Sequence, residues 1–422
     1  MTGKLVTVTG HIAGTGGTFK VQPEDFLVEE VPFYLPCGEG EHLYLQVEKR
    51  NLTTLDLVHS LARSCDIRER EIGYAGLKDA RGVTRQWLSL PARSAEGKLD
   101  GEQDRFRILA RCRHRNKLRL GHLRGNRFRI RIRGVETGAM ERAEKILLRL
   151  REQGVPNTFG EQRFGALGNS HRIGRAILQE NFEEAIREIL GVSQQIRDPR
   201  WQEGATRFAA GDLEGALAVL PGNCRHERKI LQLLLQGRSC RQALLALPQR
   251  LLRLYLSAFQ SLLFDRLVGQ RLPDLGLLWA GDLAMKHANG AVFSVIDPAR
   301  EQPRADAFEI SPSAPLFGCK VLLAADAAGK LEERLLKEEN LCLESFALPG
   351  PLRMEGARRA LRVPLEEAAV VMDGEDLWLS FMLPSGSYAT CVLKEVMKND
   401  RGMEGADQEE PSTKIMNIDS IC

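Results

Sequence analysis

Apolar and polar residues alternate along the start of the chain. Phe19-Lys20-Val21, Phe26-Leu27-Val28-Glu29-Glu30 and Leu43-Tyr44-Leu45-Gln46-Val47-Glu48 follow the two-residue period of strands with one face buried. Thr53 and Thr54 then precede Leu55, Leu57, Val58 and Leu61, which predicts a helix entered through a threonine cap. Strand patterns return at 87–90 and 105–109. Residues 127–133 alternate without a break, with Phe128, Ile130 and Ile132 on one face and arginines on the other. An amphipathic helix over 140–153 is closed by Gly154. These residues read as an α+β unit with mostly antiparallel strands.

The middle of the chain changes period. Segments 171–190, 213–220, 226–236 and 241–267 carry apolar residues at three-and-four spacing and predict helices. Short strand-like runs follow at 277–279 and 291–296. After about residue 360 strands are expected again at 369–372, 377–381 and 387–390. The economical arrangement is an α+β catalytic domain over 1–160 and 346–398, interrupted by a largely helical insertion over 161–345. Residues 399–422 lack an apolar period and read as a disordered tail.

A length of 422 residues suits two domains. The formal net charge of +3, with 27% charged and 43% apolar residues, describes a soluble chain whose partners do not follow from charge alone. No window resembles a membrane span or a secretion signal, so a cytoplasmic location is expected. Nine cysteines are scattered without a C-x-x-C pair, and the histidines are equally dispersed. No metal is expected from this pattern.

Three features bear on chemistry. In Gly73-Tyr-Ala-Gly-Leu-Lys-Asp-Ala-Arg-Gly-Val-Thr-Arg-Gln86, one carboxylate, Asp79, is crowded by Lys78, Arg81 and Arg85. Neighbouring cations favour an ionised carboxylate, a candidate nucleophile or base that works without a metal; a solvated turn has the same composition. Next, twelve lysines and arginines fall within 105–133, with only Asp104 beside them. A phosphate backbone would suit such a face, and so would ordinary solvation. Third, Asn126 and Phe128 sit two apart on a predicted strand and share a face, where an amide and a ring could hold an extruded base. They could equally end a turn and fill the core. Phe381 has the same two readings, and Arg163 is either a phosphate contact or a structural donor. Lys20 taken alone is ordinary. The Gly14-Thr-Gly-Gly-Thr18 loop runs into a strand and not a helix, so it lacks the context of a dinucleotide site. Gly-x-Ser-x-Gly and His-Glu-x-x-His are absent.

Several of these blocks recur in fixed order. Tyr74-Ala-Gly-Leu-Lys-Asp79 with Val83-Thr84 and Gln86, Gly121-His-Leu-Arg-Gly-Asn126 with Phe128, Pro156-Asn157, Phe159-Gly-Glu-Gln-Arg-Phe-Gly165, and Phe381-Met-Leu-Pro-Ser-Gly-Ser-Tyr-Ala-Thr390 resemble the signature of the tRNA pseudouridine synthase D (TruD) family. The resemblance covers roughly residues 18 to 397. It implies a pseudouridine-synthase-like sheet core with a family-specific insertion, and isomerisation of a D-arm uridine of tRNA, conventionally position 13. It also implies Asp79 as the essential carboxylate and no cofactor or metal. Lys20, Asn126, Phe128 and Phe381 match its active-site lysine, amide, aromatic and uracil-flanking aromatic. The implied partner is tRNA, with no membrane; the oligomeric state stays open, a monomer being compatible. Thr158 and Gly82 depart from the usual aromatic and alanine, and the tail is extra. Two other functions share these features: an RNA-binding protein without catalysis, and a nucleobase glycosidase.

Overall fold

The computed structural model describes residues 7–78, 80–99, 102–103, 105–165, 167–192 and 196–399. Contacts divide it into two units. One holds the described residues up to Val155 and again from Val363, and the other holds Pro156–Arg362. The tail beyond residue 399 lies outside the described residues.

The first unit is built on a ten-stranded sheet. Its order is Glu366–Asp373, Asp376–Pro384, Leu123–Arg133, Phe26–Pro32, Val83–Pro91, His42–Arg50, Phe106–His114 and Glu102–Gln103. Thr18–Phe19 adds to Leu123–Arg133, and Gly73–Tyr74 to Val83–Pro91. All of these pairings are antiparallel except that of Phe26–Pro32 with Val83–Pro91. The alternation read from the sequence sets the faces: Phe128, Ile130 and Ile132 are buried, while Arg127 and Arg129 are exposed.

Helix Thr54–Cys65 covers part of the buried face. Thr53 Oγ1 accepts the Asp56 amide at 3.0 Å, which satisfies one of the amides left open at a helix start. Leu57, Val58 and Leu61 then pack with Leu43, Leu45, Val47, Leu88 and Leu90. Each such side chain contributes about 1.5–3 kcal/mol by leaving water. Helix Ala139–Gln153 packs on Glu366–Asp373 and on helix Ala389–Met397.

The second unit is largely helical, with a four-stranded sheet ordered Val292–Ser294, Leu283–Lys286, Ile310–Leu316 and Ala357–Ala360. Its longest helix, Gln249–Arg271, buries Phe259, Leu263 and Phe264 completely.

Local expectations differ from this structure in four places. Segment 387–390 is the cap and first two residues of helix Ala389–Met397 and not a strand; the helix's apolar residues Val392, Leu393 and Val396 lie beyond the four-residue window that suggested alternation. The helix expected over 171–190 is two, Ser170–Leu178 and Phe182–Leu190, because Glu180 turns left-handed at φ 56° and Asn181 caps the second. The one expected over 241–267 is broken before Gln249, where Pro248 disfavours a helical residue ahead of it. Segment 277–279 is a loop: the Asp282 carboxylate accepts the Trp279 amide at 2.8 Å and the Arg271 guanidinium at 2.8 and 3.0 Å.

Candidate active site

Strand register brings the predicted aromatic and amide residues together. Phe128 pairs across the ladder with Val28 on one side and Phe381 on the other, and Asn126 with Glu30 and Leu383. Directly opposed side chains in such a sheet share a face about 5 Å apart. The rings of Phe128 and Phe381 are 5.4 Å apart, Phe26 meets Phe128 at 6.2 Å, and Phe19 meets Phe26 at 6.3 Å. Lys20 stands at the end of this row with a left-handed φ of 57°, its ammonium 4.3 Å from the Phe26 ring centroid. Phe381 is 0% exposed and Phe128 7%. Their rings therefore pack as a buried wall, and neither turns a free face outward. Asn126 is half-buried, and its Oδ1 is buried without a hydrogen-bond partner among the described residues. Buried polar atoms are nearly always paired, so this acceptor stands open to a donor from a ligand.

The other polar groups follow from how two strands diverge. The parallel pairing of Phe26–Pro32 with Val83–Pro91 holds over Leu27, Val28 and Glu29. Past that point the Trp87 amide donates to Glu30 Oε2 at 2.9 Å, and Gly73–Tyr74 takes the neighbouring place in the sheet. The second oxygen of Glu30 accepts Lys78 Nζ at 2.6 Å; the two side chains are 1% and 7% exposed. The Lys78 amide in turn donates to Thr54 Oγ1 at 2.9 Å, and that hydroxyl donates to Gln86 Oε1 at 3.0 Å. Lys78 is thus held at both backbone and side chain. Asp79 itself lies outside the described residues. Gln86 Nε2 and Thr84 Oγ1 are further buried polar atoms without a partner among the described residues. Just ahead of strand Val83–Pro91 stands Gly82, whose φ is 128° and where a Cβ would stand 2.7 Å from the Phe26 carbonyl oxygen.

Sequence reasoning missed Glu30, Thr54 and the anchoring use of Lys78. One signal was available: in Phe26-Leu-Val-Glu-Glu the period-two pattern puts Glu30 on the same face as Phe26 and Val28, where an acid needs a partner.

The arginine strand differs from its appearance in the sequence. Arg124 pairs with Glu366 at 2.8 Å, Arg127 with Glu367 at 2.7 Å, Arg131 with Asp376 at 2.7 Å and Arg133 with Asp25 at 2.7 Å. Arg129 lies over the Trp378 ring at 4.7 Å. Acids distant in sequence thus answer most of the cations on this face. Burial works to raise the Asp25 carboxyl, but hydrogen bonds from Arg133 and the Gln22 amide outweigh it, leaving Asp25 below the usual carboxylate range. Arg163, in the second unit, donates through Nε to Ser261 at 3.1 Å and lies 5.6 Å from the Phe159 ring centroid. The glycine loop packs on the C-terminal helix: the Thr15 amide donates to Val396 O at 2.8 Å and the Gly16 amide to Met397 O at 3.2 Å. That accounts for its glycines without a phosphate. No described helix is long and apolar enough to cross a membrane.

Comparison with known proteins adds to this geometry. The family model described as tRNA pseudouridine synthase D (TruD) matches residues 5–396. The tRNA pseudouridine synthase D of Syntrophotalea carbinolica is 54% identical over 393 residues, 93% of this chain and 99% of that protein. That of Geobacter metallireducens is 52% identical over 402 residues, 95% and 100% of the two chains. A crystal structure described as a TruD from Methanosarcina mazei superposes with a TM-score of 0.80 at 27% identity, covering 94% of this chain and 97% of that one. With the family model spanning nearly the whole chain and relatives more than half identical over nearly their full length, this chain belongs to the tRNA pseudouridine synthase D family of isomerases.

Proposed function

We propose that this enzyme converts uridine to pseudouridine in the D arm of tRNA, at the position conventionally numbered 13, with Asp79 as the essential carboxylate and no cofactor. The first unit would be the catalytic domain and the second the family-specific insertion. The target nucleoside is extruded so that its uracil edge meets Asn126, with Phe128 beside it, backed by Phe381. Extrusion costs a few kcal/mol, which contacts to the flipped base offset. The N1–C1′ bond breaks, the uracil turns, and a bond forms between C5 and C1′. C5 loses its proton and N1 gains one, so the product is an isomer. Asp79 acts as nucleophile toward C1′ or C6, or as a base, and each role requires the ionised form. Lys20 is the cation that orients it, and Arg163 a contact to the RNA.

The observation that carries this reading is the orphaned Oδ1 of Asn126, set across the ladder from the Glu30 that grips the residue before Asp79. A uracil offers its N3–H to such an acceptor. The test is Asp79→Asn assayed on unmodified tRNA. Pseudouridine formation is expected to vanish while tRNA binding stays within a few-fold of wild type. Full turnover by the variant removes the role of Asp79, and release of free uracil by the wild type replaces isomerisation with glycosidase chemistry.

A further inference from the structure

Beyond the end of strand Phe26–Pro32 lies a group of rings that the reaction does not use. Tyr34 stacks on His114 with centroids 5.1 Å apart and planes 21° apart, and meets the edge of His122. Its hydroxyl is 2.8 Å from His122 Nδ1. Tyr44 packs edge-on against His114 at 4.8 Å and donates its hydroxyl to Asn116 O at 3.0 Å. Tyr34, His114 and His122, together with Leu35, Lys117 and Arg119, line an open depression of about 520 Å³. Leu35 is 72% exposed. Aromatic rings beside a guanidinium make the platform on which unstacked bases rest.

The use of cations singles out one of them. Arg107 pairs with Glu48, Arg113 with Glu96 and Arg115 with Glu39. Lys117 commits its ammonium to Arg70 O at 2.5 Å, and Arg111 donates to Leu99 O. The Arg119 side chain is exposed at the rim of the depression, and its guanidinium has no carboxylate or hydrogen-bond partner among the described residues. The loop that carries it is fixed. The Leu118 amide donates to Ser89 Oγ at 2.9 Å and the Gly121 amide to Ala75 O at 2.9 Å, so its floor rests on the segment that reaches Lys78 three residues later.

We infer that this depression binds a second unstacked nucleotide of the RNA that carries the target uridine, its base against the Tyr34–His114–His122 group and its phosphate on Arg119. The inference rests on the tRNA reading above. It is tested with full-length protein and an unmodified tRNA transcript, measuring Kd by filter binding and pseudouridine formation by steady-state kinetics. Arg119→Ala removes no contact within the fold. It is expected to raise Kd about tenfold and to flatten the salt dependence by about 0.7 in log–log slope, one phosphate on a single strand. Tyr34→Ala is expected to raise Kd between about fivefold and a hundredfold, the range for loss of one base stack, and Tyr34→Phe, which keeps the ring, to restore most of it. Both losses fall on KM and not on kcat. Wild-type Kd and salt slope in Arg119→Ala and Tyr34→Ala overturn the subsite, as does displacement of the tRNA from it by millimolar inorganic phosphate alone. If the wild type binds tRNA with this dependence but makes no pseudouridine, the subsite stands and the enzymatic reading fails.

Discussion

Replacing Glu30 by glutamine isolates the contact that anchors Lys78, the residue before the proposed carboxylate Asp79. The pair it forms with Lys78 is 2.6 Å long, with side chains 1% and 7% exposed, so neither charge is relieved by water when the other is removed. Breaking a buried pair from one side costs about 3–5 kcal/mol. Glutamine retains an oxygen for the Trp87 amide or for Lys78, which puts the expected loss near the lower end, about 3 kcal/mol. For a unit of about 150–250 residues each kcal/mol moves Tm by about 2–4 °C, so a drop of roughly 6–12 °C is expected in a calorimetric or circular-dichroism melt. The comparison variant is Lys78→Met, and the double variant closes a cycle. Because each single variant strands the other partner's charge and the double variant strands neither, the double variant should lose clearly less than the sum of the two. At a temperature where all variants are folded, kcat on tRNA should fall more than KM rises, since Lys78 adjoins Asp79. A Glu30→Gln melt within about 2 °C of wild type, or strictly additive losses, would refute the anchoring argument.

Two other outcomes follow from the geometry. Gly82→Ala adds one methyl at a position where φ is 128° and the new Cβ would stand 2.7 Å from the Phe26 carbonyl. A loss of about 1–3 kcal/mol in urea unfolding is expected, and a variant as stable as wild type rejects that backbone. In the second unit, burial, and after it the positive charge of Arg362, hold the His287 imidazole below its ordinary value. Its neutral form is the folded one, so the stability it contributes is complete above about pH 6.5 and is lost as pH falls through its lowered pKa. His287→Gln preserves a partner for Ser311, which His287 Nε2 meets at 2.9 Å, and should flatten the fall of Tm between pH 7.5 and 5. Parallel pH profiles for the two proteins contradict this.

Much of the first unit was legible because alternation is a local signal. Phe128, Ile130 and Ile132 face inward as read, and the threonine-capped helix begins at Thr54. Helix breaks inside long apolar stretches were hidden, since a single left-handed residue such as Glu180 barely disturbs the period. The charge state of the arginine strand could not be read at all. Glu366, Glu367 and Asp376 lie 240 to 245 residues from the arginines they meet, and only strand pairing brings them there. The aromatic wall was legible as residue types but not as burial: Phe381 is sealed by the strands around it. Glu30 was visible as a misplaced charge, but its partner Lys78 is 48 positions away and reaches it only because two parallel strands separate.

The place of Asp376–Pro384 inside the sheet has a consequence for biosynthesis. That strand lies against Leu123–Arg133, yet it emerges from the ribosome only after all of Pro156–Arg362. At a synthesis rate of about 5–20 residues per second the wait is roughly 10–40 s. Throughout it the nascent sheet offers a bare ladder of amides and carbonyls beside Phe128 and Ile130, the kind of border along which chains aggregate. Arg124 and Arg131 of Leu123–Arg133, whose partners Glu366 and Asp376 are still to come, are then unneutralised and repel their counterparts on neighbouring copies, a charge guard that the late-arriving acids dismiss once the sheet closes.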